Sequence, residues 1–506
     1  MQDEAASYGD NRPEGVMRDH VRFWLGSSRQ EVRGIAPTLT VLDWLRGPMR
    51  RSGTKEGCNE GDCGACTVVV VRPRAGGGLT WRAVNACIQL VGQLDGCLLL
   101  TVEDLAAADG TLHPVQQAMV DLHGSQCGFC TPGFVMSLFA MGRDMGRDGA
   151  APDEAAIDDA LAGNLCRCTG YAPIVRAGLA SIAADDAWRA EAAAIEARLR
   201  ALDDDEDVVV TSPAGRFSAP ASVDALAETL LADPDATVLA GGTDVGLWIT
   251  KQMRVLPHLV WVGRVAGFAD ITETADGLEI GASATYSDAM AALGALLPDM
   301  GELLRRLGSV QVRNAGTIGG NIANGSPIGD SPPALIAAGA TLHLRRGDTR
   351  RSLPLEDFFI AYGRQDRAPG EFVERITVPR PAPGTRFRAY KVSKRFDQDI
   401  TAVLGCYAIT LDGGRVTAAR IAHGGMAGTP KRATAAEAAL IGRTWDADAV
   451  RAAQGALASD YMPLDDMRAS AWYRLRVAQN LLVRLHAETT GQAPTRLVGA
   501  PELAHA

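Results

Sequence analysis

The spacing of apolar residues changes several times along the chain and divides it into regions of different character. Residues 18–104 carry short β-branched runs separated by glycine-rich turns, which predict a β-rich domain with one helix. We expect strands at Val21–Leu25, 67–71 and 79–84, and a helix near residue 41 that Thr38 caps.

Residues 105–185 show helical spacing instead. Pro114 and Pro173 each stand at the start of a helical segment, and Thr131 precedes a proline as a cap precedes the first helical residue. A further helix is predicted between residues 153 and 164. This region is therefore expected to be a helical domain.

Residues 187–207 are rich in Ala and Glu and end in the acidic run 203–207, which predicts a helical tether with a solvated end. Beyond residue 211, short apolar runs alternate with helical stretches. Arginine pairs around Gly347 predict a solvated hairpin tip, and Asp412-Gly413-Gly414 predicts a second hairpin.

These changes predict a multidomain α+β protein. The expected units are 18–104, 105–185, a linker at 186–210, then 211–385 and 386–495. A length of 506 residues agrees with several domains, because single hydrophobic cores stop growing near about 300 residues.

Composition excludes several classes of function. A net charge of −10 argues against a nucleic-acid partner, whose phosphates are neutralised by Lys and Arg. The first 17 residues lack the basic and apolar regions of a secretory signal, and no long uncharged apolar run predicts a membrane span. Clustered cysteines without a disulfide-scaffold composition favour a reducing cytoplasm.

Eight of the ten cysteines form two groups, with spacings C-x4-C-x2-C-x20-C and C-x2-C-x35-C-x-C. The first group is Cys58, Cys63, Cys66 and Cys87, and the second is Cys127, Cys130, Cys166 and Cys168. Because an iron–sulfur cluster is normally held by four cysteine sulfurs, the groups predict two clusters and one-electron chemistry. The first spacing is that of plant-type ferredoxins, whereas structural zinc sites use other spacings.

The surroundings of the cysteines support this prediction. Gly57, Gly61 and Gly64 allow the backbone to wrap closely around a cluster. In the second group, each pair of cysteines stands just before the predicted start of a helix. The free amides of a helix start favour thiolates. Cys97 competes with Cys87 as fourth ligand, but its apolar surroundings favour a buried thiol, and Cys406 is likewise expected in a core.

Three cysteine-containing segments resemble the signatures of the xanthine oxidase family of molybdenum hydroxylases. They are GCNEGDCGAC at 57–66, QCGFCTPG at 126–133 and NLCRCTGY at 164–171. The resemblance implies a ferredoxin-like β-grasp domain, a four-helix domain, and a [2Fe–2S] cluster in each.

Two glycine-rich segments extend the resemblance. The turn at 241–244 follows a predicted strand and offers successive amides to an anion, although no Rossmann or P-loop fingerprint is present. Segment 317–330, TIGGNIANGSPIGD, resembles the family's flavin loop. The resemblance implies a vanillyl-alcohol oxidase-type FAD-binding domain followed by a C-terminal flavoprotein domain.

The resemblance assigns FAD contacts residue by residue. The pyrophosphate turn would comprise Val238, Leu239, Ala240, Gly241, Gly242, Thr243, Asp244 and Val245. Thr317, Gly319, Gly320 and Asn321 would hold the phosphates and adjacent backbone. Asp330 would contact the ribose or adenine side, and Lys391 would lie near the flavin ring. Leu307 replaces a phenylalanine of animal members, and the charges of loop 391–399 differ, which bears on NAD+ access.

The family's molybdenum-binding region has no counterpart in the 506 residues, so the resemblance implies a partner subunit that holds molybdopterin, in an (αβ)2 heterotetramer. Gln126 and Cys168 would contact the pterin across the interface. The partner would oxidise hypoxanthine to xanthine and xanthine to urate, and electrons would reach NAD+ through both clusters and FAD. No acid–base or nucleophilic residue of this chain is required.

Two alternatives stay open at this point. The chain could serve another molybdenum hydroxylase that acts on aldehydes, nicotinate or carbon monoxide, although the fused order of clusters and FAD favours the purine enzyme. It could also be a non-catalytic electron carrier, against which the retained flavin loops and all eight cysteines argue.

Overall fold

The computed structural model describes residues 17–145, 152–182, 184 and 186–491. Within that part the chain is a multidomain α+β protein, as predicted. The expectation about the first 17 residues falls almost entirely outside the described part. No helix of the described residues has the length and apolar character needed to cross a membrane.

The first domain is a five-stranded sheet in the order β3-β2-β6-β4-β5 with one helix beside it. Its elements are β2 (Val21–Leu25), β3 (Ser28–Val32), α1 (Val41–Arg46), β4 (Thr67–Pro73), β5 (Leu79–Asn85) and β6 (Leu98–Leu100). The short strand β1 (Met17–Arg18) precedes them but pairs in a different sheet. In β2 every second side chain is buried, which explains its sequence pattern.

The cap of α1 corrects the sequence prediction. Thr40, and not Thr38, is the capping residue, and its hydroxyl accepts a hydrogen bond of 3.0 Å from the amide of Asp43. The Asp43 carboxylate accepts from the same hydroxyl at 2.7 Å. Both threonines are able to cap, and the helix begins at the one that also has this acidic partner.

The second domain contains the predicted helices. They are α2 (Pro114–Asp121), α3 (Thr131–Met145), α4 (Glu154–Leu161) and α5 (Ala172–Ser181). Helix α3 packs against β4 and β5, so the two cysteine-bearing domains share a core. The structure confirms that Cys97 and Cys406 are buried, because both are inaccessible to solvent.

The linker contains α6 (Ala187–Ala190) and α7 (Ala192–Arg200), but its acidic end is not simply solvated. Asp204 forms ion pairs with Arg18 at 3.3 Å, with Arg264 at 2.6 Å and with Arg22. The prediction of a solvated run was wrong here because the basic partners come from distant parts of the chain. Asp204 fastens the linker to the domains on both sides.

Residues 207–261 form the first lobe of the next region, a five-stranded sheet in the order β1-β7-β8-β10-β9. The elements are β7 (Asp207–Ser212), β8 (Gly215–Ala219), α8 (Val223–Ala232), β9 (Thr237–Leu239), α9 (Val245–Thr250) and β10 (His258–Trp261). Strand β1 pairs with β7 in parallel, so Met17–Arg18 join this lobe and not the first domain.

The second lobe is an antiparallel sheet in the order β11-β12-β17-β13-β14, covered by helices. Its elements are β11 (Ile271–Thr274), β12 (Gly277–Gly281), α10 (Tyr286–Leu296), α11 (Pro298–Arg305), α12 (Val310–Ala315), α13 (Ile318–Asn324), α14 (Ser331–Ala338), β13 (Thr341–Arg346), β14 (Thr349–Pro354), β15 (Phe359–Ala361), β16 (Arg364–Gln365) and β17 (Phe372–Pro379). The hairpin at Gly347 is confirmed, but Arg345 is buried beside Asp224 at 2.5 Å and is not solvated.

The last domain is a four-stranded sheet backed by helices. It consists of β18 (Thr385–Val392), β19 (Val403–Asp412), β20 (Arg415–Gly424), β21 (Lys431–Arg432), α15 (Thr434–Leu440), α16 (Ala447–Asp460) and α17 (Ala471–Thr489). The predicted turn at Asp412-Gly413-Gly414 joins β19 to β20. Strand β18 brings its C-terminal end towards the second lobe.

Candidate cofactor sites

The first cysteine group lies on the loop between α1 and β4, together with Cys87 after β5. Gly61 and Gly64 have φ angles of 86° and 69°, which glycine adopts without strain. A Cβ atom at Gly57 would stand 2.7 Å from the sulfur of Cys63. Glycine is therefore required where the loop closes around the thiols.

The four thiols of this group form a connected set. Cys58 interacts through its sulfur with Cys63 and Cys87, and Cys66 interacts with Cys87. The amides of Asp62 and Cys63 each donate to the sulfur of Cys58 at 3.3 Å. Hydrogen bonding, first from Cys63, holds the pKa of Cys58 well below its usual range, which suits a ligating thiolate.

The contacts among the thiols fit a two-iron cluster. Among the described residues, no group of three or more His, Cys, Asp or Glu side chains is disposed to hold one metal ion. A [2Fe–2S] cluster instead takes its cysteines in pairs, two for each iron. Pairwise thiol contacts among all four cysteines meet that demand.

The second group has the same pairwise arrangement at the ends of two loops. Cys127 lies against Cys168, and Cys130 lies against Cys166. Burial opposes ionisation of Cys166, but hydrogen bonds from Thr169, whose amide donates at 3.4 Å, lower its pKa. The four thiols and the adjacent helix starts fit a second anionic cluster.

The two groups differ in their access to solvent. Cys66 and Cys87 are buried, whereas Cys127 and Cys168 are exposed. Apolar side chains at the second group are also exposed, by 47% for Phe129, 46% for Leu165 and 40% for Tyr171. Gln126, next to Cys127, is exposed as well. The second site therefore opens onto a surface that another protein could cover.

A cavity of about 510 Å³ lies between the two lobes of residues 207–379. Its volume falls within the range of small-molecule sites, about 300–1,000 Å³. Most residues assigned by the family resemblance line it: Val238, Ala240, Gly241, Gly242, Thr243, Asp244, Val245, Thr317, Gly319, Gly320 and Asn321. Residues predicted from two separate segments are thus brought to one cavity.

The turn at 241–244 has the chemistry of an anion site. Within the described part of the chain, the amides of these four residues donate no hydrogen bond to another protein group. Gly242 has a φ of 77°, so successive amides can face one side. Free amides that line a cavity can bind phosphate oxygens, and this observation fits the pyrophosphate of FAD.

Four of the assigned residues do not line the cavity. Leu239 is fully buried in β9, and Gln126 lies in the helical domain. Asp330 and Lys391 form a buried ion pair of 2.7 Å, and Asp330 also accepts from the hydroxyl of Thr401. Both carboxylate oxygens of Asp330 are therefore engaged by protein in this structure.

Lys391 lies close to one wall of the cavity. Its ammonium group donates to the carbonyl of Arg306 at 3.0 Å, and the next residue, Leu307, lines the cavity. The leucine noted in the sequence thus faces the expected flavin position. The ion pair of Lys391 with Asp330 joins β18 to the start of α14 behind that wall.

Several lining residues had no local sequence signal. Tyr286, Trp248, Phe372 and Arg367 reach the cavity from four separate elements or loops. Tyr286 is fully buried, and its hydroxyl pairs with that of Ser331 at 2.8 Å. Only the packing of the two lobes brings these side chains together, so spacing along the chain does not reveal them.

The first cysteine site abuts the cavity loop. In the segment that follows Cys87, Gln89 donates to the carbonyl of Gly241 at 3.0 Å. Gln93 donates to that of Ala240 at 2.7 Å. At the other end of α9, Lys251 donates to the carbonyl of Cys58 at 2.6 Å. One short helix therefore spans the distance between the predicted pyrophosphate turn and the first cluster loop.

Three segments of the chain match known protein families. Residues 101–179 match the model of a [2Fe-2S] binding domain, and residues 213–381 match the FAD binding domain in molybdopterin dehydrogenase. Residues 388–489 match the CO dehydrogenase flavoprotein C-terminal domain. The fold and sites thus define an iron–sulfur flavoprotein that transfers electrons.

Comparison with individual proteins identifies the family of this chain. The chain is 30% identical to xanthine dehydrogenase of Emericella nidulans over 94% of its own length and 39% of that protein. It is 30% identical to xanthine dehydrogenase 1 of Arabidopsis thaliana over 85% of its length and 36% of that protein. The chain thus spans less than two fifths of these two relatives.

A solved structure of carbon monoxide dehydrogenase from Hydrogenophaga pseudoflava is 32% identical, with a TM-score of 0.51, over 53% of this chain and 94% of that chain. Quinoline 2-oxidoreductase from Pseudomonas putida 86 is 26% identical, with a TM-score of 0.51, over 55% of this chain and 97% of that chain. This chain belongs to the xanthine oxidase family of molybdenum hydroxylases.

Proposed function

We propose that the chain is the iron–sulfur and FAD subunit of an NAD+-dependent xanthine dehydrogenase. A large partner subunit holds molybdopterin and oxidises hypoxanthine to xanthine and xanthine to urate, in an (αβ)2 assembly. One observation carries the proposal: a four-thiol site with two exposed cysteines, a four-thiol site with two buried cysteines and a cavity of about 510 Å³ follow one another in contact. Matches to xanthine dehydrogenases over 94% and 85% of this chain support the proposal.

The residues of this chain have distinct tasks in that function. Cys127, Cys130, Cys166 and Cys168 hold one cluster, and Cys58, Cys63, Cys66 and Cys87 hold the other. When bound, the clusters pass single electrons and FAD combines them in pairs for NAD+. The amides at 241–244 bind and orient the pyrophosphate. Gln89 and Gln93 hold that turn against the first cluster loop.

The exposed side of the second site is the proposed interface with the partner. Phe129, Leu165 and Tyr171 form an apolar rim at exposed Cys127 and Cys168, and burying such a rim favours association. Gln126 and Cys168 stand at the edge that the pterin would approach. Electrons would then enter at the cluster held by Cys127, Cys130, Cys166 and Cys168, and would leave at the flavin cavity.

Co-expression of the chain with its large molybdopterin subunit tests the assignment. The purified complex should contain about four irons and one FAD per copy of this chain, and should form NADH from NAD+ with xanthine. A fully loaded complex without xanthine turnover would reject the substrate. Cys166→Ser should block FAD reduction by xanthine, whereas FAD reduction by NADH should survive.

Carbon monoxide dehydrogenase is a second candidate. This chain aligns with 94% of a chain of that enzyme at 32% identity. The fused order of both clusters and FAD favours the purine enzyme over it. Assays of the purified complex with xanthine, an aldehyde, nicotinate, quinoline and carbon monoxide as substrates distinguish these candidates. A chain with iron but no FAD would instead support a non-catalytic electron carrier.

A further inference from the structure

A buried group of polar side chains marks the point where three domains meet. It consists of Thr67, Ser137, Asn164 and Gln311, whose exposed fractions are 1%, 3%, 2% and 1%. Thr67 comes from the first domain, Ser137 and Asn164 from the helical domain, and Gln311 from the second lobe of the flavin region. We refer to these four residues as the junction.

Gln311 is the centre of the junction. Its amide nitrogen faces the side-chain oxygens of Asn164 at 2.9 Å, Ser137 at 3.2 Å and Thr67 at 3.3 Å. The Ser137 hydroxyl also donates to Asn164 at 2.7 Å. One side chain of the flavin region is thus bonded to both cysteine-bearing domains.

The partners of Gln311 all lie beside cluster ligands. Thr67 directly follows Cys66, and its hydroxyl donates to the carbonyl of Gly64 at 2.6 Å. The side-chain amide of Asn164 donates to that same carbonyl at 3.1 Å, and Cys166 is two residues further on. Ser137 lies on α3, which begins directly after Cys130. The junction therefore connects the ligand-bearing segments of both clusters.

The backbones at this point are also too close for side chains. A Cβ atom at Gly133 would stand 2.1 Å from the carbonyl oxygen of Gly64. One at Gly64 would stand 2.2 Å from that of Gly163. The two cluster loops are pressed together, and small movements of either loop would change the separation of their cysteines.

Gln311 also lies next to the wall of the flavin cavity. It is on α12, directly before Val312, which lines the cavity. Its amide oxygen is buried and has no hydrogen-bond partner in the described part of the chain. An apolar residue would avoid the unpaired oxygen, so stability alone does not account for a glutamine here. Buried polar networks that join elements specify their relative position.

We propose that Gln311 is a positioning residue that sets the separation of the two cluster loops from each other and from the flavin wall. For its kinetic consequence the proposal rests on the proposed electron relay. The structural claim needs only the two clusters, so it can be tested without purine, NAD+ or the partner's activity.

The test compares three variants in the protein as purified. Gln311→Leu keeps the size and removes all polar contacts, Gln311→Glu keeps the shape and removes the N–H donors, and Ser137→Ala removes one acceptor. Gln454→Leu is the matched control, because the side chain of Gln454 donates to the backbone carbonyl of Gln479 at 2.9 Å, within the last domain. The readout is the magnetic splitting between the two dithionite-reduced clusters in low-temperature electron paramagnetic resonance.

We expect the splitting to change in both Gln311 variants and less in Ser137→Ala, at unchanged iron and FAD content. The control should show the parent splitting. If a Gln311→Leu preparation does not assemble, Gln311→Glu and Ser137→Ala decide the outcome. A parent spectrum in both Gln311→Glu and Ser137→Ala, with full cofactor content, overturns the proposal. That result would leave the xanthine assignment untouched.

Discussion

The backbone amide of Leu165 donates a hydrogen bond of 3.0 Å to the carbonyl oxygen of Cys63. Cys63 is an expected ligand of the first cluster, and Leu165 directly precedes Cys166, an expected ligand of the second. A single hydrogen bond therefore joins the covalent frames of the two sites. The contact is made by backbone atoms, so it does not depend on the side chain of either residue.

This contact predicts a different outcome for two substitutions of one residue. Leu165→Pro removes the donating N–H, whereas Leu165→Ala keeps it and removes only a half-exposed side chain. After flash photoreduction of the flavin, we expect electrons to reach the second cluster several-fold more slowly in Leu165→Pro and at the parent rate in Leu165→Ala. Freeze-quenched paramagnetic resonance can follow each cluster separately.

Iron content is the control for that experiment, since proline also restricts the residue before it. Equal transfer rates in the two variants, at full iron content, would show that the hydrogen bond is not on the route between the clusters.

Cys87 and Cys97 offer a second matched pair. Cys87 contacts the sulfurs of Cys58 and Cys66, whereas Cys97 is fully buried in the apolar core, where burial raises the pKa of its thiol to about 12. We expect Cys87→Ser to lose about two of four irons and the signal of one cluster. Cys97→Ser should keep all four at some cost in stability. Iron loss from Cys97→Ser alone would reverse the ligand assignment.

Two glycines in helices allow the effect of helix propensity on stability to be measured apart from the effect of close packing. A Cβ atom at Gly246 in α9 would stand 2.7 Å from the Cβ of Ile88, next to Cys87, whereas one at Gly455 in α16 would meet nothing within 4 Å. We expect Gly455→Ala to stabilise the protein by about 1 kcal/mol. Gly246→Ala should instead weaken FAD retention, because it pushes the cavity loop away from the first cluster loop. Equal thermal shifts and equal FAD content in both variants would contradict this reading.

The sequence predicted the parts of the sites that depend on local patterns. Cysteine spacing, the glycines at positive φ and proline-marked helix starts act within a few residues, and all are visible without a fold. The cap of α1 shows the limit even of local signals. Thr38 and Thr40 are both threonines, so their intrinsic ability to cap a helix is the same.

The features that sequence did not reveal are contacts between distant segments. Asp204 looked like part of a solvated acidic run, yet its arginine partners lie up to 186 residues away. Gln311 stands in an ordinary polar stretch, and its partners are 147 to 244 residues distant. Only the docking of domains gives such residues their surroundings, so composition and periodicity cannot identify them.

The ion pair between Lys391 and Asp330 predicts a stability effect that a double substitution should reverse. The two side chains are exposed by only 3% and 7%. Lys391→Met leaves a buried carboxylate without its cation, which typically costs about 3–5 kcal/mol. We therefore expect a lower Tm and faster FAD loss in Lys391→Met, and substantial recovery of Tm in Lys391→Met/Asp330→Asn. A double variant as unstable as the single one would show that the lysine contributes through other contacts.

His423 predicts acid sensitivity of the last domain. The ring is fully buried between the hydroxyls of Tyr407 at 3.1 Å and Tyr461 at 3.0 Å, and burial lowers its pKa to about 3. The unfolded chain, with an ordinary pKa of about 6.5, binds a proton that the folded chain rejects, so stability should fall as pH drops from about 6.5 towards about 3. The slope approaches about 1.4 kcal/mol per pH unit and vanishes above neutrality.

His423→Gln keeps a polar side chain without this titration, so it should flatten the acid dependence even if it lowers stability at neutral pH. Cys406 reports on opening of the same sheet, because it is fully buried and pairs with Ala422 on the neighbouring strand. Its labelling by a dipyridyl disulfide, which reacts with thiols in acid, should accelerate below pH of about 6 in the parent protein and much less in the variant. His343→Gln provides the control: partial burial also lowers the pKa of His343, but its ring lies in the second lobe, so labelling of Cys406 should keep nearly the parent acid profile. An unchanged acid profile in His423→Gln would place the sensitivity elsewhere in the protein.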